Sequence, residues 1–129
     1  MGVSHRIEND VLYTTIEGEF TPDDIRAYRE GLRADPAYHA GMHALVDCRR
    51  VSALFSAEDL RALANDLERP PSAFVGPWRC AIVVASEVIY GLVRMYDAYL
   101  QTDTIDVRPF RDFDEAVAWL ARPSGDSPQ

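Results

Sequence analysis

The sequence predicts an α/β fold: a mainly parallel sheet of about five strands with four helices, in two or three layers, the first strand antiparallel to the second. Three observations predict it. Short apolar or alternating segments take turns with helix-period segments along the chain. Only Asn9-Asp10 separates the first two alternating segments, which suits a tight hairpin turn. The chain has 129 residues and 47% hydrophobic content, enough for one domain with one real core.

Each element has its own signal. Val3, His5 and Ile7 alternate, as do Leu12, Thr14 and Ile16, and Gly18 closes the second strand. In TPDDIRAYREGLRAD, Thr21 is the N-cap, Pro22 takes the first helical position, and Asp23 and Asp24 sit where the helix dipole favours anions. Ile25, Tyr28 and Leu32 form its apolar stripe, and Pro36 ends it. HALVDC, residues 43–48, is a buried strand. Ser56, with Asp59 three residues on, opens the next helix, whose Leu60, Leu63, Ala64 and Leu67 face one side. CAIVVAS, residues 80–86, is the most apolar run and fits a strand buried on both faces. Ser86 caps SEVIYGLVRMYDAYL. TIDVRPF is the last strand, at an edge because Pro109 cannot donate to a ladder. Asp112 and Glu115 form a capping box for the final helix. The domain is expected to span 1–122, with 123–129 a disordered tail.

The bulk properties narrow the function classes. A net charge of -8 disfavours nucleic acid, which requires clustered Lys and Arg. It also disfavours an anionic membrane surface. The start, MGVSHRIENDVL, has no apolar run of signal-peptide type, and no stretch has the length of a membrane-embedded helix. Cys48 and Cys80 both lie in apolar runs, so buried thiols in a reducing, cytoplasmic compartment are expected. His39 and His43 lack a third ligand, so neither a metal nor any cofactor is expected. GxGxxG, Walker and GxSxG motifs are absent from the sequence. The scattered carboxylates suggest no acid–base pair, and a non-enzymatic protein is expected.

The run LVDCRRVSALFSAEDLRALA resembles the central segment of STAS domains, the anti-sigma-factor antagonist fold. Asp47 matches the strand-end Asp, Val51 the loop valine, and Ser56 the position of the family's phosphorylatable serine. Where that family has Asp-Ser-Ser-Gly, this chain has Phe55-Ser56-Ala57-Glu58. RCAIVVASEVIYGLVRMYDAYL and VRPFRDFDEAVAWL resemble a group of small bacterial SpoIIAA-like proteins that are mostly uncharacterised. The resemblance runs roughly from Ile7 to Leu120 and implies the fold. It is related in architecture to CRAL-TRIO lipid-binding domains, whose helices open over an apolar cavity.

Four places are candidate sites, each with a plain structural reading beside it. On a wheel, Val88, Leu92, Met95, Tyr96 and Tyr99 form the expected core face of their helix. Tyr90 and Arg94 lie opposite, with Gly91 and Ala98 beside them as a strip suited to close helix packing. That strip is a contact with another protomer or protein, a ligand or catalytic site, or a solvated face. Ser56 is a regulatory phosphosite by resemblance, or simply an N-cap. Asp47 sits at the carboxyl end of a strand, where ligands bind in open α/β sheets, or caps local amides. The loop from Pro70 to Trp78 carries Phe74 and Trp78, as a lid over an apolar pocket or a packed connection.

Three functions follow. The first is a non-enzymatic STAS-like interaction module that self-associates, as a homodimer, or binds another protein. The second is a binder of a small apolar molecule or lipid. The third is an enzyme using Tyr90, Arg94 and Asp47.

Overall fold

The computed structural model describes residues 2–19, 21–39, 41–52, 55–68, 78–100 and 105–122, without the side chains of 66–68 and Trp78. Among these residues, five strands and four helices occur in the predicted order: β1 (Gly2–Glu8), β2 (Val11–Gly18), α1 (Pro22–Leu32), β3 (His43–Val51), α2 (Ala57–Glu68), β4 (Trp78–Val83), α3 (Glu87–Tyr99), β5 (Ile105–Phe110) and α4 (Phe113–Leu120).

The strands lie side by side in chain order. β1 is antiparallel to β2 and the other pairs are parallel. The hairpin turn places Asn9 at φ 50° and Asp10 at φ 62°. A two-residue turn with both central residues left-handed matches the twist of the flanking strands, and Asn and Asp tolerate that conformation. Among the described residues β5 pairs only with β4, so Pro109 does lie on an edge strand. β4 has neighbours on both sides and ends at Val83, three residues short of the apolar run's end. There the Val84 N–H donates to the Phe110 carbonyl at 2.8 Å, and Ser86 opens α3.

The order of the strands decides the layers. Each crossover from β2 to β5 steps the same way across the sheet, and right-handed crossovers stepping one way put their helices on one face. Leu32 of α1 and Val93 of α3 pack with Leu12, Ala44, Cys80 and Val107 on that face. Ile25 of α1 and Leu63 of α2 pack there with Ile16. α4 follows the last strand and covers the opposite face, where Ala116, Trp119 and Leu120 meet Leu45, Ala81 and Val83. The fold is thus three layers, with α1–α3, the sheet and α4 in turn. Strand residues alternate between the two cores with the period of two that a sheet requires.

One expectation is corrected. Val88 and Met95, expected in the core, are 60% and 37% exposed. α3 instead turns Ile89, Tyr90, Val93 and Tyr96 toward the sheet-side core, and so Tyr90, expected opposite the core face, packs against it; Leu100, just past the helix, joins them. Apolar residues occupy most of this helix's circumference, so periodicity alone does not select the arc that faces inward.

Candidate functional site

A concavity lies between the sheet and the three helices of one face. It is a cavity of about 190 Å³. Its floor is built by strand register. Leu12, Ala44, Cys80 and Val107 are in register across β2 to β5, and Thr14, Val46 and Ile82 form the next row. The two interior positions of the first row are Ala44 and Cys80, both small, so the floor is low at the centre of that row. Ile25, Leu32, Leu60, Leu63, Leu92 and Val93 supply walls from the helices.

The polar groups in this lining are few and belong to specific side chains. Thr14 Oγ1 and Tyr28 Oη are 2.6 Å apart and share a hydrogen bond. Burial pushes the Tyr28 hydroxyl up to about 12, so it stays protonated at neutral pH. Arg29 also lines the cavity. Its guanidinium donates to Tyr96 Oη at 3.2 Å and to the Leu63 carbonyl at 3.5 Å. Cys48 and Cys80 line the same space, and burial pushes both thiols up to about 12. Thiols held protonated are poor nucleophiles, which argues against thiolate chemistry here.

The sequence-derived candidates fall elsewhere. Tyr90 is half-buried beneath the Arg111 guanidinium, 4.0 Å from the ring centroid. Arg111 in turn donates to both carboxylate oxygens of Glu87 at 2.7 Å. Gly91, Arg94 and Ala98 are exposed on the outer side of α3. Among the described residues, a Cβ added at Gly91 would meet nothing within 4 Å. Asp47 accepts from Arg49 Nε at 2.9 Å and Nη2 at 2.8 Å, and these bonds hold its carboxyl below the usual range. Arg49 stacks on Phe113 of α4, so this pair sits on the α4 side of the sheet. Tyr90 and Arg94 lie on the other side, and the three residues of the enzyme reading are not brought together.

Ser56 opens α2 with a reciprocal cap. Its Oγ accepts the Asp59 N–H at 3.1 Å, and the Asp59 carboxylate accepts the Ser56 N–H at 3.2 Å. A cap of this kind is worth about 1 kcal/mol. Phe74 lies outside the described residues, and Trp78 is placed only as the first residue of β4. Among the described residues, no group of three or more His, Cys, Asp or Glu is placed to hold a metal ion. No helix of the described residues is long and apolar enough to cross a membrane.

Sequence reasoning missed Thr14, Arg29 and Tyr96 as a polar set inside an apolar space. A signal for Arg29 existed. It stands four residues after Ile25 and three before Leu32, within the apolar stripe of α1, where a charge is out of pattern.

Comparison with known proteins bears on the fold. A family model described as SpoIIAA-like matches residues 11–121. The chain is also similar to a solved structure from Shewanella loihica PV-4, an uncharacterized protein of the DUF3478 family with a SpoIIAA-like fold. The identity is 19%, the match covers 92% of each chain, and the TM-score is 0.59. No curated protein matches the chain.

Proposed function

The chain belongs to the SpoIIAA-like family, and from that premise we propose that it is a cytoplasmic STAS-like module, one domain over residues 1–122, that works by binding a small apolar molecule and not by catalysis. The cavity carries this reading. Its volume of about 190 Å³ exceeds the roughly 150 Å³ of an engineered apolar cavity in another protein that takes up benzene. Its walls are apolar apart from a few convergent polar groups, the usual constitution of a small-molecule site. The family's fold by itself does not assign an activity, so the reading rests on the cavity.

Native mass spectrometry of the protein purified gently from its own host tests it. The expected result is a mass increment that organic solvent removes and that proves to be a small apolar compound. A bare chain that also shows no saturable binding of 1-octanol overturns the proposal.

A second reading, self-association, has its own observation. Val88 and Met95 are the large hydrophobic side chains exposed among the described residues. With Gly91 and Ala98 they form a line at spacings of three, four and three along α3, the pattern of a helix–helix seam. Arg94 flanks that line. In this reading the protein sediments as a dimer, and Val88→Glu or Arg94→Glu makes it monomeric with unchanged circular dichroism. A wild-type protein that stays monomeric at high concentration excludes it.

A further inference from the structure

We infer that the cavity takes an uncharged aldehyde or ketone, its carbonyl oxygen accepting a hydrogen bond from the Thr14–Tyr28 hydroxyl pair and its ring or chain lying over the sheet. The inference rests on the cavity being a binding site and adds the chemical class of the ligand.

Among the described residues, Thr14 is the polar side chain that is fully buried, at 3% exposure. It stands in a floor row continued by Val46 and Ile82. A valine there would have the same shape without the cost of burying a hydroxyl. The Thr14 hydroxyl is answered by Tyr28 Oη at 2.6 Å. Each group brings an O–H proton, however, and their mutual bond uses just one of the pair. Among the described residues, neither hydroxyl has a further hydrogen-bond partner. An O–H donor is therefore left over between two side chains that line the cavity. A buried donor without an acceptor costs more than a spare lone pair does. The group that best completes the pair is an acceptor oxygen with no proton of its own, which is a carbonyl. The pair is also pre-positioned. His5 lies opposite Thr14 in the β1–β2 pairing, packs edge-on against the Tyr28 ring at a centroid distance of 5.9 Å, and shares a 2.8 Å hydrogen bond with Asp35. A hydroxyl held in this way loses little further freedom when a ligand arrives.

Charge and size narrow the class. Arg29 lines the cavity, but its guanidinium already donates to the Tyr96 hydroxyl and the Leu63 carbonyl. An anion would be desolvated against bonds that are already made, whereas an uncharged carbonyl requires a single donor. Scaled from the benzene-sized cavity, about 190 Å³ takes roughly eight carbon atoms. Leu12 and Ala44 below, with Leu63 and Val93 above, offer apolar side chains to the rest of the ligand.

Titration calorimetry of the full chain with benzaldehyde and with styrene tests this. The probes have nearly the same shape, and the carbonyl oxygen of benzaldehyde stands where styrene has its terminal CH₂ group. The double variant Thr14→Val, Tyr28→Phe removes both hydroxyls and keeps the shapes, a replacement that costs little stability because no polar group is left unpaired. It is expected to bind benzaldehyde about tenfold more weakly than wild type does, and to bind styrene at least as tightly. A benzaldehyde-to-styrene affinity ratio that the variant leaves unchanged overturns the carbonyl assignment and leaves the cavity reading standing. Binding of neither probe by wild type also overturns the assignment, and the cavity reading falls with it if 1-octanol is not bound either. Should the variant fail to fold, the infrared carbonyl stretch of benzaldehyde bound to wild type decides. It is expected near its position in ethanol, where a hydroxyl donates to the oxygen. A position matching that in dibutyl ether, which has no donor, overturns the assignment.

Discussion

Gly91 shows how little a single residue reveals without its surroundings. In a helix interior, glycine costs about 1 kcal/mol relative to alanine, which invites the idea that something sits close to it. Among the described residues nothing does, since an added Cβ would meet no atom within 4 Å. Gly91→Ala should therefore raise unfolding free energy by about 0.5–1 kcal/mol, read from urea denaturation of the monomer. A loss of stability would mean that a neighbour crowds this position. Arg29 is the opposite case. It is one more arginine in the sequence, and its place against Tyr96 and Leu63 is what makes it distinctive.

At the scale of elements, the helix starts were the most legible feature. Thr21, Ser56, Ser86 and Asp112 each accept a backbone N–H from the first turn of the helix they open. A cap is a contact over two or three residues, so residue type and spacing suffice to foresee it. Contacts between elements are different. At the start of β3, His43 Nδ1 accepts the Arg79 N–H of β4 at 2.9 Å. Only the unprotonated ring can accept there. Burial, aided by the Arg79 charge, lowers the folded-state pKa of His43 from its ordinary 6.5. Between that lowered value and 6.5 the unfolded chain binds more protons than the folded one. The stabilisation is thus full above about pH 6.5 and declines as pH falls below it. Urea titrations at pH 7.5, 6.5 and 5.5 should show this decline in wild type, and a smaller one in His43→Gln. Equal slopes for the two proteins would remove His43 from the account.

For the whole molecule, the cavity follows from topology and from two small residues. Three helices share one face because the crossovers all step the same way. Beneath them, Ala44 and Cys80 occupy adjacent, in-register positions on the two interior strands β3 and β4. Ala44→Leu adds three carbon atoms to that floor. It should leave unfolding free energy within about 1.5 kcal/mol of wild type, because the added volume enters existing space. It should also abolish binding of 1-octanol, measured calorimetrically. Retained binding by a folded Ala44→Leu protein would place the ligand elsewhere.

The sequence by itself determined the α/β class, the order of the nine elements, the Asn9-Asp10 hairpin and the edge position of β5. These depend on local forces: turn conformation, caps, missing donors and the periods of apolar residues. The tertiary structure decided which arc of α3 faces inward, which layer each helix joins, and which polar side chains line one concavity. Val88 and Met95 match core residues in composition yet face outward, while Arg29 has the composition of a surface residue yet lines the cavity. Neither outcome is encoded within one helix. Both are set by the space left when α1, α2 and α3 settle together on one sheet, a result of volumes and contacts between residues far apart in the chain.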